Sequence, residues 1–177
     1  ELEINCGRAA LPRGPETGAA QQPRPIKLDL SAFSKIRYPP VASVVLGFRR
    51  PDVAHPCAGF GMLIPKIAGF KSLGTLFSSS LFPNRAPAGH LTLTTYIGGE
   101  RYPELASLPE EKLVALVCED LRVLLGVRGQ PTFQHCVFYP QAIPQYNVGY
   151  GRFKDLMTKI EAQALGFFLA GHYRDGV

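Results

Sequence analysis

Four cysteines, four histidines and fourteen carboxylates are the groups in this 177-residue chain that carry chemistry of their own. Cys6, Cys57, Cys118 and Cys136 fall at spacings that build neither a zinc site nor a dithiol redox pair. Cys118 lies in an apolar helical stretch and Cys136 alternates with strand-like neighbours, so both are expected to be structural thiols. His55, His90, His135 and His172 lack metal-ligand spacing, and each reads first as a surface or satisfied histidine. Glu110, Glu111, Glu119, Asp120 and Glu161 read as solvated helix faces rather than as a pair poised for acid–base work. Neither a GxGxxG fingerprint nor a P-loop is present. Two features remain. Tyr96 has a ring that can stack on a planar ligand, although a tyrosine of the sheet core is the commoner reading. Gly98 and Gly99 follow it and would let a ligand approach the backbone, but on spacing alone they read better as a tight turn.

These residues sit on a succession of short strands. VASVVLGFRR, from Val41, is β-branched and apolar and is bounded by prolines, as a buried strand would be. GFGMLIPK, KSLGTLFSSS and HLTLTTYIGG follow, separated by Gly, Pro or Asn. Thr92, Thr94 and Tyr96 alternate with Leu91, Leu93 and Thr95, which predicts one polar and one packed face. A helix is expected next, with Ser107 as N-cap, Pro109, Glu110 and Glu111 in its first turn, and Gly126 as its stop. Its stripe is Leu113, Leu116, Val117, Leu121, Leu124 and Leu125. PTFQHCVFYPQ predicts another strand, Arg152 to Ala164 a second amphipathic helix, and FFLA, from Phe167, a short final strand. Residues 1–27 read as an irregular leader in which only Leu2 to Ile4 resembles a strand. The fold class is α+β: a mixed, largely antiparallel sheet with packed helices.

With 46% hydrophobic and 19% charged residues, the composition is that of a folded domain and excludes wholesale disorder. No apolar run approaches the ~18 residues of a membrane helix, and ELEINCGRAALPRG is not a secretory signal. A cytoplasmic location is the default. The net charge of +5 is scattered, with Arg49–Arg50 the only compact pair. That pattern speaks against nucleic acid as a partner and favours an anionic substrate or an anionic membrane surface. From the residues alone the reading ends at an α+β domain.

Six ordered strings carry it further: GFGMLIP, SLGTLFSSSLFPNRAP, TTYIGG, LPEEKLVALVCEDLRVLLGV, YPQAIPQYNVGY and FFLAGHYRDGV. From about Val41 to Val177 they resemble the protoporphyrinogen oxidase and coproporphyrinogen III oxidase family of FAD-dependent enzymes. The resemblance implies the substrate lobe of an amine-oxidase-type fold over residues 28–145, and part of the FAD-binding lobe over 146–177. It implies dehydrogenation of a porphyrinogen to the porphyrin in haem biosynthesis, with the flavin taking the hydride. It implies that Leu63 and Leu76 clamp substrate rings and that Tyr96, where the family often has Phe, stacks on one. Met62 is expected to face the other side. Tyr139 (often Trp in the family) and Pro144 are implied to lie at the flavin edge. Ala170, Gly171 and His172 match a family Ala-Gly-Asn turn that admits the cofactor, with His in place of Asn.

The family's Rossmann fingerprint and helical membrane-docking lobe are not found, so the chain is expected to be a fragment, inactive by itself and holding FAD weakly. The implied partners are the porphyrinogen, a membrane surface for peripheral association of the intact enzyme, and either a second copy or a chain carrying the FAD lobe. The alternative is a non-catalytic porphyrin-binding or partner-binding module derived from that lobe.

Overall fold

The computed structural model describes residues 2–4 and 26–176. Seven strands are present there: β1 Leu2–Ile4, β2 Ile26–Leu28, β3 Val41–Arg49, β4 Gly61–Leu63, β5 Ser72–Leu76, β6 His90–Gly98 and β7 Phe133–Tyr139. The α-helices are α1 Ser78–Leu81, α2 Glu110–Leu125, α3 Gly151–Gln163 and α4 His172–Asp175. They form two compact units. One is Tyr38–Ile143; the other joins the described part of Glu1–Arg37 to Pro144–Val177.

In the unit Tyr38–Ile143 the sheet order is β4-β5-β6-β3-β7, and every pairing is antiparallel. The largely antiparallel sheet expected from the sequence is therefore present. Strand β3 is central because its apolar residues suit burial: Ala42, Val44, Leu46 and Phe48 all point to one face and are fully buried. Leu91, Leu93, Thr95 and Ile97 of β6 join them, and Leu113, Val117, Leu121 and Leu125 of α2 complete the core. Burying one such aliphatic side chain stabilises by about 1.5–3 kcal/mol. Met62 packs against this core, on the face opposite to Leu63, as expected.

Helix α2 begins later than its sequence suggests. Pro103–Ser107 is a separate 3₁₀ turn, and the Ser107 hydroxyl donates to the Glu104 carbonyl at 3.2 Å instead of capping α2. Pro109 occupies the N-cap position, and its carbonyl accepts from the amides of Lys112 and Leu113. Gly126 ends the helix in the left-handed region (φ 63°), and a Cβ there would come within 2.8 Å of the Ala54 Cβ.

Asp120, read as part of a solvated helix face, is buried instead at 7% exposure. Its Oδ2 accepts from the Lys71 amide at 3.1 Å, the Ser72 amide at 2.7 Å and the Ser72 hydroxyl at 2.7 Å. This fastens α2 to the start of β5. Arg101 ties down the neighbouring chain by donating to the Ile64 carbonyl at 2.9 Å and the Ser72 carbonyl at 3.5 Å. Gly98 (φ 110°) and Gly99 (φ 63°) form the tight turn: a Cβ on Gly98 would lie 2.6 Å from the Pro40 carbonyl oxygen.

In the second unit β1 pairs antiparallel with β2, Leu2 opposite Leu28. Leu28, Ile160 and Ala164 form a small core with Leu30, Phe33, Leu156, Phe167 and Leu169 around it. Residues 167–170 are not a strand, contrary to the apolar FFLA pattern. The Leu169 amide donates to Glu161 Oε1 at 2.8 Å, so a side chain takes the place of a ladder partner. Arg174 pairs with the same oxygen and also donates to the Leu169 carbonyl at 3.1 Å. The clasp lowers the Glu161 pKa, chiefly through the Arg174 hydrogen bond and then through the Leu169 amide.

Candidate functional site on the open face of the sheet

The alternation of β6 splits the sheet into two unlike faces. Leu91, Leu93, Thr95 and Ile97 go under α2; His90, Thr92, Thr94 and Tyr96 go to the other side. Residues directly paired across antiparallel strands share a face, so the register fixes what stands beside them. Tyr96 is in one row with Gly74 and Ser43, and Leu63 continues that row beyond Gly74. The next row holds Gly61, Leu76, Thr94, Val45 and His135. Thr92, Gly47 and Phe133 form a third.

A cavity of about 750 Å³ lies over these rows. Its apolar lining includes Val45, Leu76, Phe82, Pro87 and Phe133, and Ser78, Thr94 and Tyr96 contribute hydroxyls. Arg85, His90 and His135 line it as well, and no Asp or Glu does. The size and the mixture of apolar walls with a few polar groups are those of a small-molecule site. Glycine shapes this face of the sheet at two places. Gly47 in mid-strand leaves room for Phe133, whose Cβ would be 3.1 Å from any Cβ added there. Gly74 lets the Leu63 side chain lie across β5, with Cδ2 3.2 Å from where a Cβ would stand.

The structure thus gathers Leu76 and Tyr96 into one cavity. Leu63 is on the same face but outside the cavity lining, 92% exposed on the edge strand β4. Tyr139, 48% exposed, shares this face at the far end of β7, opposite Val41. The other residues implied at a cofactor belong to the second unit. Pro144 is buried and offers little surface to a ligand. Ala170, Gly171 and His172 make an exposed turn in which Gly171 (φ 139°) cannot take a side chain: a Cβ would meet the Tyr173 ring at 2.8 Å. The His172 carbonyl accepts from the Tyr146 hydroxyl.

Arg85, His135, Phe133 and Gly47 did not stand out in the sequence. The one legible signal was a glycine inside a strand; the others lack distinctive spacing. Cys6 lies outside the described residues, and the described thiols supply no reactive group. Burial raises the pKa of Cys57 and Cys118, and pushes Cys136 up to about 11, with the Glu110 charge adding to the effect. Among the described residues no cluster of His, Cys, Asp or Glu could hold a metal, and no helix is long and apolar enough to cross a membrane.

Comparison with known proteins bears on this face. Residues 16–176 match the family model described as flavin containing amine oxidoreductase. The chain is 38% identical over 151 residues to a mitochondrial protoporphyrinogen oxidase of Nicotiana tabacum, covering 84% of this chain and 30% of that protein. It is 27% identical over 138 residues to the coproporphyrinogen III oxidase of Bacillus subtilis, covering 77% of this chain and 29% of that protein. The chain therefore spans about 30% of the length of the curated relatives it matches. A putative protoporphyrinogen oxidase from Exiguobacterium shares its fold with a TM-score of 0.66 at 22% identity, over 84% of this chain and 33% of that one.

Proposed function

Because the chain belongs to the flavin-containing amine oxidoreductase family, we propose that its open sheet face is the substrate-bearing surface of an FAD-dependent porphyrinogen oxidase. The observation that carries the reading is the grouping of Leu76 and Tyr96 in one 750 Å³ cavity on an otherwise helix-backed sheet. A macrocycle needs a broad apolar plate, and β3, β5, β6 and β7 all contribute to this one. Tyr96 would stack on a ring of the macrocycle, Leu76 would pack beside it, and Leu63 would close over the edge from β4. The wall excludes water from the reacting carbons. It holds no carboxylate of its own, since Asp and Glu are missing from the lining.

The residues available to a flavin fit one part of it. The exposed turn at Ala170 and Gly171 presents little side chain and open backbone to a flat ring edge. The first turn of α2 carries Glu110 and Glu111, whose charge opposes an anion such as a pyrophosphate. When bound, FAD supplies the hydride acceptance of the reaction. The part of this chain is to seat and orient the porphyrinogen. The substrate class is the one that includes protoporphyrinogen IX and coproporphyrinogen III.

The test is titration of the purified chain with protoporphyrin IX, followed by porphyrin fluorescence, for wild type and Tyr96→Ala. Loss of one stacked ring should weaken binding by about twofold to twelvefold. Equal binding by the two proteins would remove Tyr96 from the substrate surface.

A further inference from the structure

We propose that Arg85 is a carboxylate-binding, specificity-determining residue of this cavity, with His90 beside it; the proposal rests on the porphyrinogen reading above. The lining is one-sided in charge: Arg85, His90 and His135 contribute to it and no acidic residue does. Arg85 also belongs to a second hollow of about 270 Å³, which shares the wall Arg85–His90–Leu91 with the first. That hollow is mostly polar, with Ser79, Ser80 and Asn84 among its lining residues. A ligand whose apolar body lies on the sheet would therefore meet a cation where the apolar surface gives way to a polar one.

Two arginines line the smaller hollow, and their states differ. Arg50 is committed to its own loop, donating to the carbonyls of Val53, His55 and Pro56. Arg85 has no carboxylate within ion-pair reach among the described residues; its guanidinium lies 5.8 Å from the Phe82 ring centroid. The loop that presents it is held in place, because the Thr92 hydroxyl donates to the Arg85 carbonyl at 2.7 Å and Asn84 takes a left-handed conformation (φ 61°). A guanidinium free of carboxylates, on a held loop beside an apolar plate, is suited to a carboxylate, which it can engage through two parallel N–H donors. His90 Nδ1 lies 3.2 Å from the Ala88 carbonyl, which leaves Nε2 for the ligand side.

The experiment compares protoporphyrin IX, a diacid, with its dimethyl ester, binding each to the full chain as wild type, Arg85→Gln and Arg85→Lys. Wild type should prefer the diacid by about tenfold, the size of one partly exposed charge-assisted contact. Arg85→Gln should abolish that preference while leaving ester affinity within about twofold, and Arg85→Lys should restore part of it. Equal binding of diacid and ester by wild type overturns the carboxylate site and leaves the porphyrinogen reading standing. Failure to bind either compound overturns both. Should Arg85→Gln not fold, the wild-type preference and its loss in high salt decide the matter.

Discussion

Replacing Asp120 by Ala removes the acceptor that holds the start of β5 to α2. Three donors, the amides of Lys71 and Ser72 and the Ser72 hydroxyl, converge on Oδ2 at 3.1, 2.7 and 2.7 Å, and Ser72 is fully buried and Asp120 nearly so. A hydrogen bond to a charged group contributes about 1.5–3 kcal/mol, and a buried donor left without a partner costs about 1–3 kcal/mol. Three bonds on one atom are not additive, and the alanine variant no longer carries the desolvation cost of the carboxylate. The net expectation is a loss of about 3 kcal/mol. Asp120→Asn keeps a neutral acceptor and should lose about half as much. The chain has no Trp, so urea unfolding is best followed by far-UV circular dichroism. A double-mutant cycle with Ser72→Ala should give a coupling of about 1 kcal/mol. A cost below about 1 kcal/mol for Asp120→Ala would mean that packing alone sets the position of β5, and the argument from the buried carboxylate would fail. The site has a stake in the result, because β5 carries Gly74 and Leu76 on the open face.

Alkylation of Cys57, Cys118 and Cys136 by iodoacetamide should be slow at pH 8, because a raised pKa keeps each thiol protonated; Cys136 should accelerate only as pH nears 11, and mass spectrometry of the labelled peptides reads this directly. The Glu161 pKa is lowered in the fold, so its clasp stabilises fully above the ordinary carboxylate value of 4.5 and is lost as pH falls through the lowered one. The protection factor of the Leu169 amide, taken relative to its intrinsic exchange rate, should therefore fall in acid in wild type, and should already be low at pH 6 in Glu161→Gln.

Much of the architecture was legible in the sequence because local chemistry encodes it. The bounds of β3, β6 and β7 follow β-branched and alternating runs, and Gly126 stops α2 because only glycine readily takes that conformation. The division of β6 into packed and open faces follows from a two-residue repeat, so the sequence by itself placed Thr92, Thr94 and Tyr96 on one side. FFLA misled, because apolar character specifies burial but not a pairing partner, and Glu161 supplied the hydrogen bond instead. Asp120 misled for a related reason: a carboxylate on a helix is solvated unless a distant segment brings donors to it, and Ser72 lies 48 residues away.

The same limit governs the site. The strand register that sets Leu76, Thr94, Val45 and His135 side by side joins residues far apart in the chain, and no local pattern fixes it. Arg85 was one scattered cation among nineteen Lys and Arg residues. Only the folded loop sets it on a cavity wall without a carboxylate to neutralise it. Side-chain direction is a local property of the backbone and can be read from a repeat; which charges meet, and which stay free to meet a ligand, is decided by long-range contacts.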